Sequence, residues 1–178
     1  MARLILVTGG ARSGKSDFAL QLAQSLPGPR CFIATCPVVD SEMEERIVRH
    51  REERVGTEWQ TVEEQTDIGA VLRAHQDDPV CLIDCLTLWV NNLLYLREQS
   101  GKTFTDTEMR QHCDLLSEAV ASHQGVVICV TNEVGMGIVP DNAAARVYRD
   151  LVGRCNRMLA AAATEVYLVS CGIPVRLK

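Results

Sequence analysis

Short apolar runs alternate along this chain with stretches in which apolar residues recur at helical spacing. The runs predict strands over residues 4–8, 30–34, 59–62, 80–84, 126–131 and 165–169, with a short closing strand over 175–177. The helical stretches cover residues 15–25, 41–54, 67–75, 86–98, 106–122 and 142–163. Near-continuous apolar strands such as 126–130 indicate burial on both faces, which is typical of parallel sheets. The alternation therefore predicts a doubly wound α/β fold, a mostly parallel sheet flanked by helices.

Two of these helices carry their own start signals. The pairs Thr105/Glu108 and Ser41/Glu44 each have the spacing of a capping box, in which side chain and backbone at a helix start bond reciprocally. The helices beginning near residues 106 and 41 are thus predicted from local chemistry as well as from periodicity.

Length and charge narrow the functional classes. The chain has 178 residues, the size of one domain, so a single domain over 1–178 is expected. A net charge of −5 argues against a broad electrostatic grip on nucleic acid. No apolar run approaches the roughly 18–20 residues that a membrane span needs, and residues 4–7 are too short for a signal-peptide core. We expect a cytoplasmic protein.

The eight cysteines do not predict a metal centre, because none forms a CxxC pair and no histidine cluster has zinc spacing. Cys31, Cys81, Cys129 and Cys171 lie in or beside apolar runs, where reduced cysteine acts as a small buried hydrophobe. Of the histidines, His112 is expected to be solvated in mid-helix. His123 is expected at a helix C-terminus, where positive charge is favourable.

A phosphate-binding loop is the strongest chemical signal. It follows the first predicted strand and opens the first predicted helix, with a full GxxxxGK[ST] match in Gly9, Gly10, Ala11, Arg12, Ser13, Gly14, Lys15 and Ser16. Glycines let backbone N–H groups wrap around phosphate oxygens, and the helix N-terminus adds positive potential. Lys15 is expected on the β- and γ-phosphates, and the Ser16 hydroxyl on Mg²⁺.

A second Mg²⁺ ligand is expected at the end of a neighbouring buried strand. The run Cys81-Leu82-Ile83-Asp84 supplies a carboxylate at that point, so Asp84 is the candidate. The alternative is that Asp84 caps the helix that begins near Leu86.

The loop alone leaves open a small-molecule kinase, a nucleotidyl transferase and a nucleotide-binding module without turnover. Arg46, His50 and Arg54 recur one helical turn apart and share a helix face that suits phosphate better than metal. An exposed basic stripe paired with neighbouring glutamates is the alternative explanation. The long segment 131–140 follows a buried strand and lies where ligands bind in open α/β sheets.

Six blocks of sequence resemble the bifunctional adenosylcobinamide kinase/adenosylcobinamide-phosphate guanylyltransferase family of cobalamin biosynthesis. They are 7–16 (VTGGARSGKS), 33–35 (IAT), 42–51, 59–63 (WQTVE), 84–89 (DCLTLW) and the highly specific 131–140 (TNEVGMGIVP). The resemblance spans nearly the whole chain and implies a P-loop NTPase (RecA-like) domain.

The resemblance also implies two reactions and their residues. The γ-phosphoryl of ATP or GTP passes to the aminopropanol hydroxyl of adenosylcobinamide. GMP from GTP is then attached to that phosphate through a guanylyl-histidine, at the position of His50, with release of pyrophosphate. The GTP contacts implied are Gly9 to Ser16, Ala34, Thr35, Cys36, Arg51, Glu52, Glu53, Arg54, Glu63 and Asp84. The family further implies a homotrimer, with the corrinoid in a cleft between subunits.

Overall fold

A single seven-stranded sheet organises residues 3–37 and 59–178, which are the residues that the computed structural model describes. Its strands are β1 (Arg3–Gly9), β2 (Arg30–Ala34), β3 (Trp59–Glu63), β4 (Val80–Asp84), β5 (Val126–Val130), β6 (Glu165–Ser170) and β7 (Ile173–Arg176). The strand order is β3-β2-β4-β5-β1-β6-β7, with β7 antiparallel to β6 and every other pair parallel. The predicted mostly parallel α/β fold is confirmed.

Five helices connect these strands in the described part of the chain: α1 (Lys15–Gln24), α2 (Ile68–Ala74), α3 (Leu86–Gln99), α4 (Asp106–Ser122) and α5 (Ala143–Ala162). Each lies within about two residues of its predicted bounds, the usual uncertainty of helix ends. The capping box of Thr105 and Glu108 forms as predicted at the start of α4. The predicted helix 41–54, with its Ser41/Glu44 signal, lies outside the described residues.

The closing strand was predicted two residues too late. Ser170 pairs with Ile173 across a two-residue turn in which Cys171 and Gly172 both have positive φ, 52° and 77°. This is the geometry of a type I′ hairpin, which suits glycine but not cysteine, so the sequence signal for the turn is weak. The turn also leaves Cys171 exposed, against the expectation of burial.

Both faces of the sheet are buried. Helix α1 covers one face, where Ile5, Leu82 and Ile128 are fully buried. The other four described helices cover the opposite face around Ile83 and Trp89. Because side chains alternate between the faces of a strand, the face of each residue near the strand ends follows from its register.

The environments of two histidines differ from those predicted. His112 packs against the rings of Trp89 and Phe104, and burial lowers its pKa. His123 ends α4 but is buried, and burial lowers its pKa too, so it is held as the neutral imidazole. In the described residues no helix combines the length and apolarity needed to cross a bilayer.

Candidate nucleotide site

The loop from Gly9 to Ser16 joins β1 to α1 and has the conformation of a phosphate cradle. Its turn places Arg12 and Gly14 at positive φ, 55° and 88°, and the first helical bond runs from Phe18 N–H to the Gly14 carbonyl at 3.0 Å. The Lys15 ammonium donates to the Gly10 carbonyl at 3.3 Å, which holds it over the loop. The predicted strand–loop–helix context of the motif is therefore present.

Close packing explains two of the glycines. A Cβ on Gly9 would lie 2.4 Å from the Val169 carbonyl oxygen and 2.6 Å from Ser13 Oγ. A Cβ on Gly14 would lie 3.1 Å from Gly172 Cα, and the φ of Gly14 is left-handed. The β6–β7 turn supports the loop directly, because Gly172 N–H donates to the Ser13 carbonyl at 2.8 Å.

Two predicted acidic residues lie at the carboxyl edge of the sheet. Ala34 pairs in register with Glu63 on one side and with Asp84 on the other, so all three share a face. Helix α1 packs on that face. Side chains two residues apart on a strand share a face, and Leu82, two residues before Asp84, lies in the hydrophobic cluster that contains residues of α1. With strands spaced about 4.8 Å apart, the Cα atoms of Glu63 and Asp84 are about 10 Å from each other.

The charges of Lys15 and Asp84 both act on the same buried thiol, that of Cys85. Burial is the main cause that raises the Cys85 pKa, to about 11. The negative charge of Asp84 raises it further, and the positive charge of Lys15 opposes that effect. The cation of the loop and the predicted metal-binding carboxylate therefore lie at the same edge of the sheet.

Two expectations about Asp84 need correction. Its strand is not the immediate neighbour of the loop's strand, because β5 lies between β4 and β1. The helix-cap alternative is wrong, since the N-cap of α3 is Cys85 and no side chain caps it. Asp84 therefore does not cap α3.

Thr35 is a buried structural connection between β2 and β4. Its hydroxyl donates to the Cys85 carbonyl and accepts from the Cys85 N–H, both at 2.8 Å. Its own carbonyl accepts from the Asn92 side chain at 2.8 Å. Ala34 and Cys36 flank it, each half-buried at the same edge. The assignment of these three residues as GTP contacts stays a prediction.

Further polar residues lie at this edge after the end of β5. The sequence predicted the segment 131–140 as part of the site but did not identify its individual polar side chains. Glu133 N–H donates to the Gly9 carbonyl at 3.0 Å, so the segment after β5 lies against the phosphate loop. Asn156 of α5 holds the strand end, accepting from the Thr131 hydroxyl at 2.7 Å and donating to the Asn132 carbonyl at 3.0 Å.

Three buried side-chain oxygens around the loop have no hydrogen-bond partner within the described structure: Thr8 Oγ1, Ser13 Oγ and Asn132 Oδ1. Buried oxygens are rarely left unsatisfied unless a ligand or ion completes them. Thr131 bonds to α5 on one face, so alternation along the strand places Asn132 on the α1 face with Asp84. A polar residue directly after a buried run is the signal by which Asn132 is recognisable in the sequence.

The donor set suits a nucleoside triphosphate with its divalent cation. Backbone N–H groups and Lys15 complement phosphate oxygens, and the unsatisfied buried oxygens show that the cradle is built for further partners. The Ser16 hydroxyl and the Asp84 carboxylate are hard oxygen ligands of the kind that Mg²⁺ prefers. Six other residues of the predicted site lie outside the described residues: Arg46, His50, Arg51, Glu52, Glu53 and Arg54.

Comparison with solved structures supports the fold. The chain is similar to an ATPase from the type III secretion system of pathogenic bacteria, with a TM-score of 0.59 and 10% identity. The similarity covers 98% of this chain, which spans 56% of that ATPase. At this identity the likeness concerns the P-loop NTPase fold alone.

Three curated relatives are similar over nearly their whole length. Two are the bifunctional adenosylcobalamin biosynthesis proteins CobU of Salmonella typhimurium, 41% identical, and of Escherichia coli, 40% identical. Each alignment covers 98% of this chain and 99% of the relative. The third, CobP of Pseudomonas aeruginosa, is 37% identical over 97% of this chain and 96% of the relative.

The family profile agrees with these relatives and with the resemblance drawn from the sequence blocks. The profile described as cobinamide kinase / cobinamide phosphate guanyltransferase matches residues 5–177. That range includes the phosphate loop, both acidic strand ends and the segment after β5. The chain therefore belongs to the cobinamide kinase / cobinamide phosphate guanyltransferase family of bifunctional, nucleotide-using enzymes.

Proposed function

We propose that this chain phosphorylates the aminopropanol hydroxyl of adenosylcobinamide with ATP or GTP and then joins GMP from GTP to the new phosphate. The products of the second step are adenosyl-GDP-cobinamide and pyrophosphate. One observation carries the proposal: the phosphate loop with Lys15 and the strand end with Asp84 share one edge of the sheet, in a chain matched by the family profile over residues 5–177.

In the kinase step the loop binds and orients the triphosphate. Backbone N–H groups of Gly10 to Ser16 and the Lys15 ammonium stabilise charge on the phosphate oxygens as the γ-phosphoryl is transferred. Ser16 and Asp84 are the residues that would hold Mg²⁺, which when bound neutralises developing phosphate charge. Asn132, with its unsatisfied buried amide oxygen beside the loop, serves as a further polar contact for the nucleotide or its water shell.

In the guanylyl step His50 acts as the nucleophile, a role that comes from the family resemblance. A neutral imidazole nitrogen bonds to the α-phosphorus while the bond from that phosphorus to the oxygen shared with the β-phosphorus breaks, and pyrophosphate leaves with that oxygen. A phosphate oxygen of adenosylcobinamide phosphate then attacks the same phosphorus, the phosphorus–nitrogen bond breaks, and His50 is restored. By the family resemblance, Arg51 and Arg54 stabilise the phosphate charge, and Glu52, Glu53 and Glu63 complete the GTP contacts.

Both steps use one domain, residues 1–178, and one phosphate loop. The chain segment that contains His50 leaves the sheet at Ala34, the carboxyl end of β2, which is the edge that carries the loop. A phosphate loop normally presents the γ-phosphorus, whereas His50 attacks the α-phosphorus. We therefore propose that the His50 segment moves, or that the nucleotide binds differently, between the two half-reactions.

The corrinoid is proposed to lie in a cleft between subunits of a homotrimer. The segment after β5 exposes Met136, Ile138 and Val139, which are 82%, 96% and 59% accessible. An open cavity of about 470 Å³ lies between α3 and α5, with the exposed Tyr95 and Val147 in its lining. Exposed apolar surface of this extent is typical of a binding or subunit interface.

The proposal is tested with GTP labelled at the α-phosphorus. Incubation with Mg²⁺ should give a protein label that is acid-labile and base-stable, as a phosphoramidate on histidine is. His50→Ala should abolish the label and retain phosphorylation of adenosylcobinamide, whereas Lys15→Ala should lose both. His75→Ala is the matched control, because His75 lies in the loop before β4 and should leave the label intact.

Each alternative gives a distinct result. Turnover of the γ-phosphate without any α-label in an active, nucleotide-binding preparation would mean a simple kinase. Nucleotide binding without either transfer would mean a non-catalytic nucleotide sensor. A label that persists in His50→Ala would assign the nucleophile to another residue.

A further inference from the structure

A cluster of metal-ligating side chains lies at the amino-terminal edge of the sheet, opposite the phosphate loop. Cys31 near the start of β2 and Cys81 near the start of β4 pair directly in register. Asp78 precedes β4, and one ligand atom from each of the three residues lies within 4.8 Å of the other two. Both thiols are fully buried, while Asp78 is partly exposed and opens the cluster to solvent.

His123 contributes a hydrogen-bond donor to this cluster. The Gly125 N–H donates to His123 Nδ1 at 3.0 Å, so the proton of the neutral ring is on Nε2. Nε2 lies 3.3 Å from Cys81 Sγ, and the ring also hydrogen-bonds to the backbone of His75. With both ring nitrogens committed, His123 is not a metal ligand.

The carboxylate is also held in place from outside the cluster. Asp78 Oδ2 lies 2.8 Å from His75 Nδ1, and the Asp78 N–H donates to the His75 carbonyl at 3.0 Å. The cluster thus has the composition of a metal site: two thiols and a carboxylate lie together, and outer histidines contact Cys81 and Asp78.

We propose that Cys31, Cys81 and Asp78 bind a Zn²⁺ ion, with a water molecule as fourth ligand. Zn–S bonds of about 2.3 Å and Zn–O bonds of about 2.0–2.2 Å place tetrahedral ligand atoms roughly 3.5–3.8 Å apart. The ligand atoms of Cys31, Cys81 and Asp78 lie within 4.8 Å of one another, so they are near that spacing. Binding replaces the thiol protons of Cys31 and Cys81, which are released to solvent. The ion would join β2, β4 and the loop before β4, away from the nucleotide.

Sequence spacing hides this site because parallel pairing, not local sequence, brings its ligands together. Cys31 and Cys81 belong to different strands, so no short ligand motif is present. The absence of CxxC pairs and of zinc-spaced histidines argues only against metal centres whose ligands are close in sequence. The proposed site is of another type, with ligands from two strands and a loop.

Cd²⁺ is the probe, because its thiolate complexes absorb in the ultraviolet by charge transfer and Zn²⁺ competes for the same ligands. The reduced protein without nucleotide should bind one Cd²⁺ with a charge-transfer band, and a large excess of Zn²⁺ should diminish that band. Cys31→Ser and Cys81→Ser should each lose the band, and Asp78→Asn should weaken Cd²⁺ binding by about 10-fold or more.

Cys113→Ser is the matched control. Cys113 and Cys155 form another buried thiol pair, between α4 and α5, and the variant should retain the band. A second measurement does not depend on the variants: Zn²⁺ at a hundredfold excess over its dissociation constant should raise the wild-type melting temperature by about 5–10 °C. Absence of a band, or a band that survives both Cys31→Ser and Cys81→Ser, would overturn the proposal.

Discussion

The phosphate loop contains adjacent glycines with opposite steric demands, and this contrast gives a quantitative prediction. In Gly9→Ala the new Cβ would lie 2.4 Å from the Val169 carbonyl oxygen, about 1 Å inside a normal contact. The oxygen is backbone of β6 and has no freedom to rotate away, so the loop or the strand must shift. Overpacking of this kind costs about 1–3 kcal/mol. A value of ~2 kcal/mol would lower the melting temperature by about 4–8 °C.

Gly10→Ala is the control for stability, because its Cβ meets no atom within 4 Å. Its free energy of unfolding should stay within about 0.5 kcal/mol of wild type. Thermal and urea unfolding of both variants measure this difference, and steady-state phosphorylation of adenosylcobinamide measures the effect on turnover. A loop displaced by about 1 Å should slow turnover in Gly9→Ala by up to ~100-fold. Equal stability of the two variants would refute the steric argument.

Two further predictions concern polar groups whose surroundings the structure defines. Asn132→Leu should keep or raise stability, because it removes a buried oxygen with no described partner, yet slow phosphoryl transfer by about 10-fold or more. Unchanged turnover would remove Asn132 from the proposed site. For Glu165, the Tyr167 hydroxyl and then Arg3 hold the pKa below its ordinary value of 4.5. This stabilisation is complete above the unfolded pKa and is lost as pH falls through the folded one. Glu165→Gln should therefore lose about 1–2 kcal/mol at pH 7 and show a weaker acid dependence in urea unfolding from pH 7 to 3.

The element pattern was predictable because the central strands of this fold are buried on both faces. Runs such as those of β4 and β5 consist almost wholly of apolar residues, and the described helices between strands have clear periodicity. The phosphate loop was predictable for a different reason. Its geometry requires glycine at close contacts such as Gly9, and its chemistry requires Lys15, so both needs appear in one short motif.

Strand order was not predictable from the same signals. The runs of β4 and β5 are equally apolar, so nothing in them tells which one lies next to β1. Because β5 is inserted between β1 and β4, Asn132 and Glu133, rather than Asp84, follow the strand next to that of the phosphate loop. The burial of His112 and His123 also depends on partners distant in sequence, which is why their environments were predicted wrongly.

The two ends of β4 carry residues of different sites, although Cys81 and Asp84 are only three positions apart. Cys81 lies at its amino-terminal end beside Cys31 and Asp78, and Asp84 lies at its carboxyl end near Lys15. At about 3.3 Å per residue these positions are about 10 Å apart along the strand. Because β2, β3, β4 and β5 run parallel, their carboxyl ends all lie at the nucleotide edge and their amino ends at the thiol edge. Soft thiol ligands and hard phosphate ligands are thereby kept at opposite edges, so an ion bound by the thiols would stabilise the sheet without competing for the triphosphate.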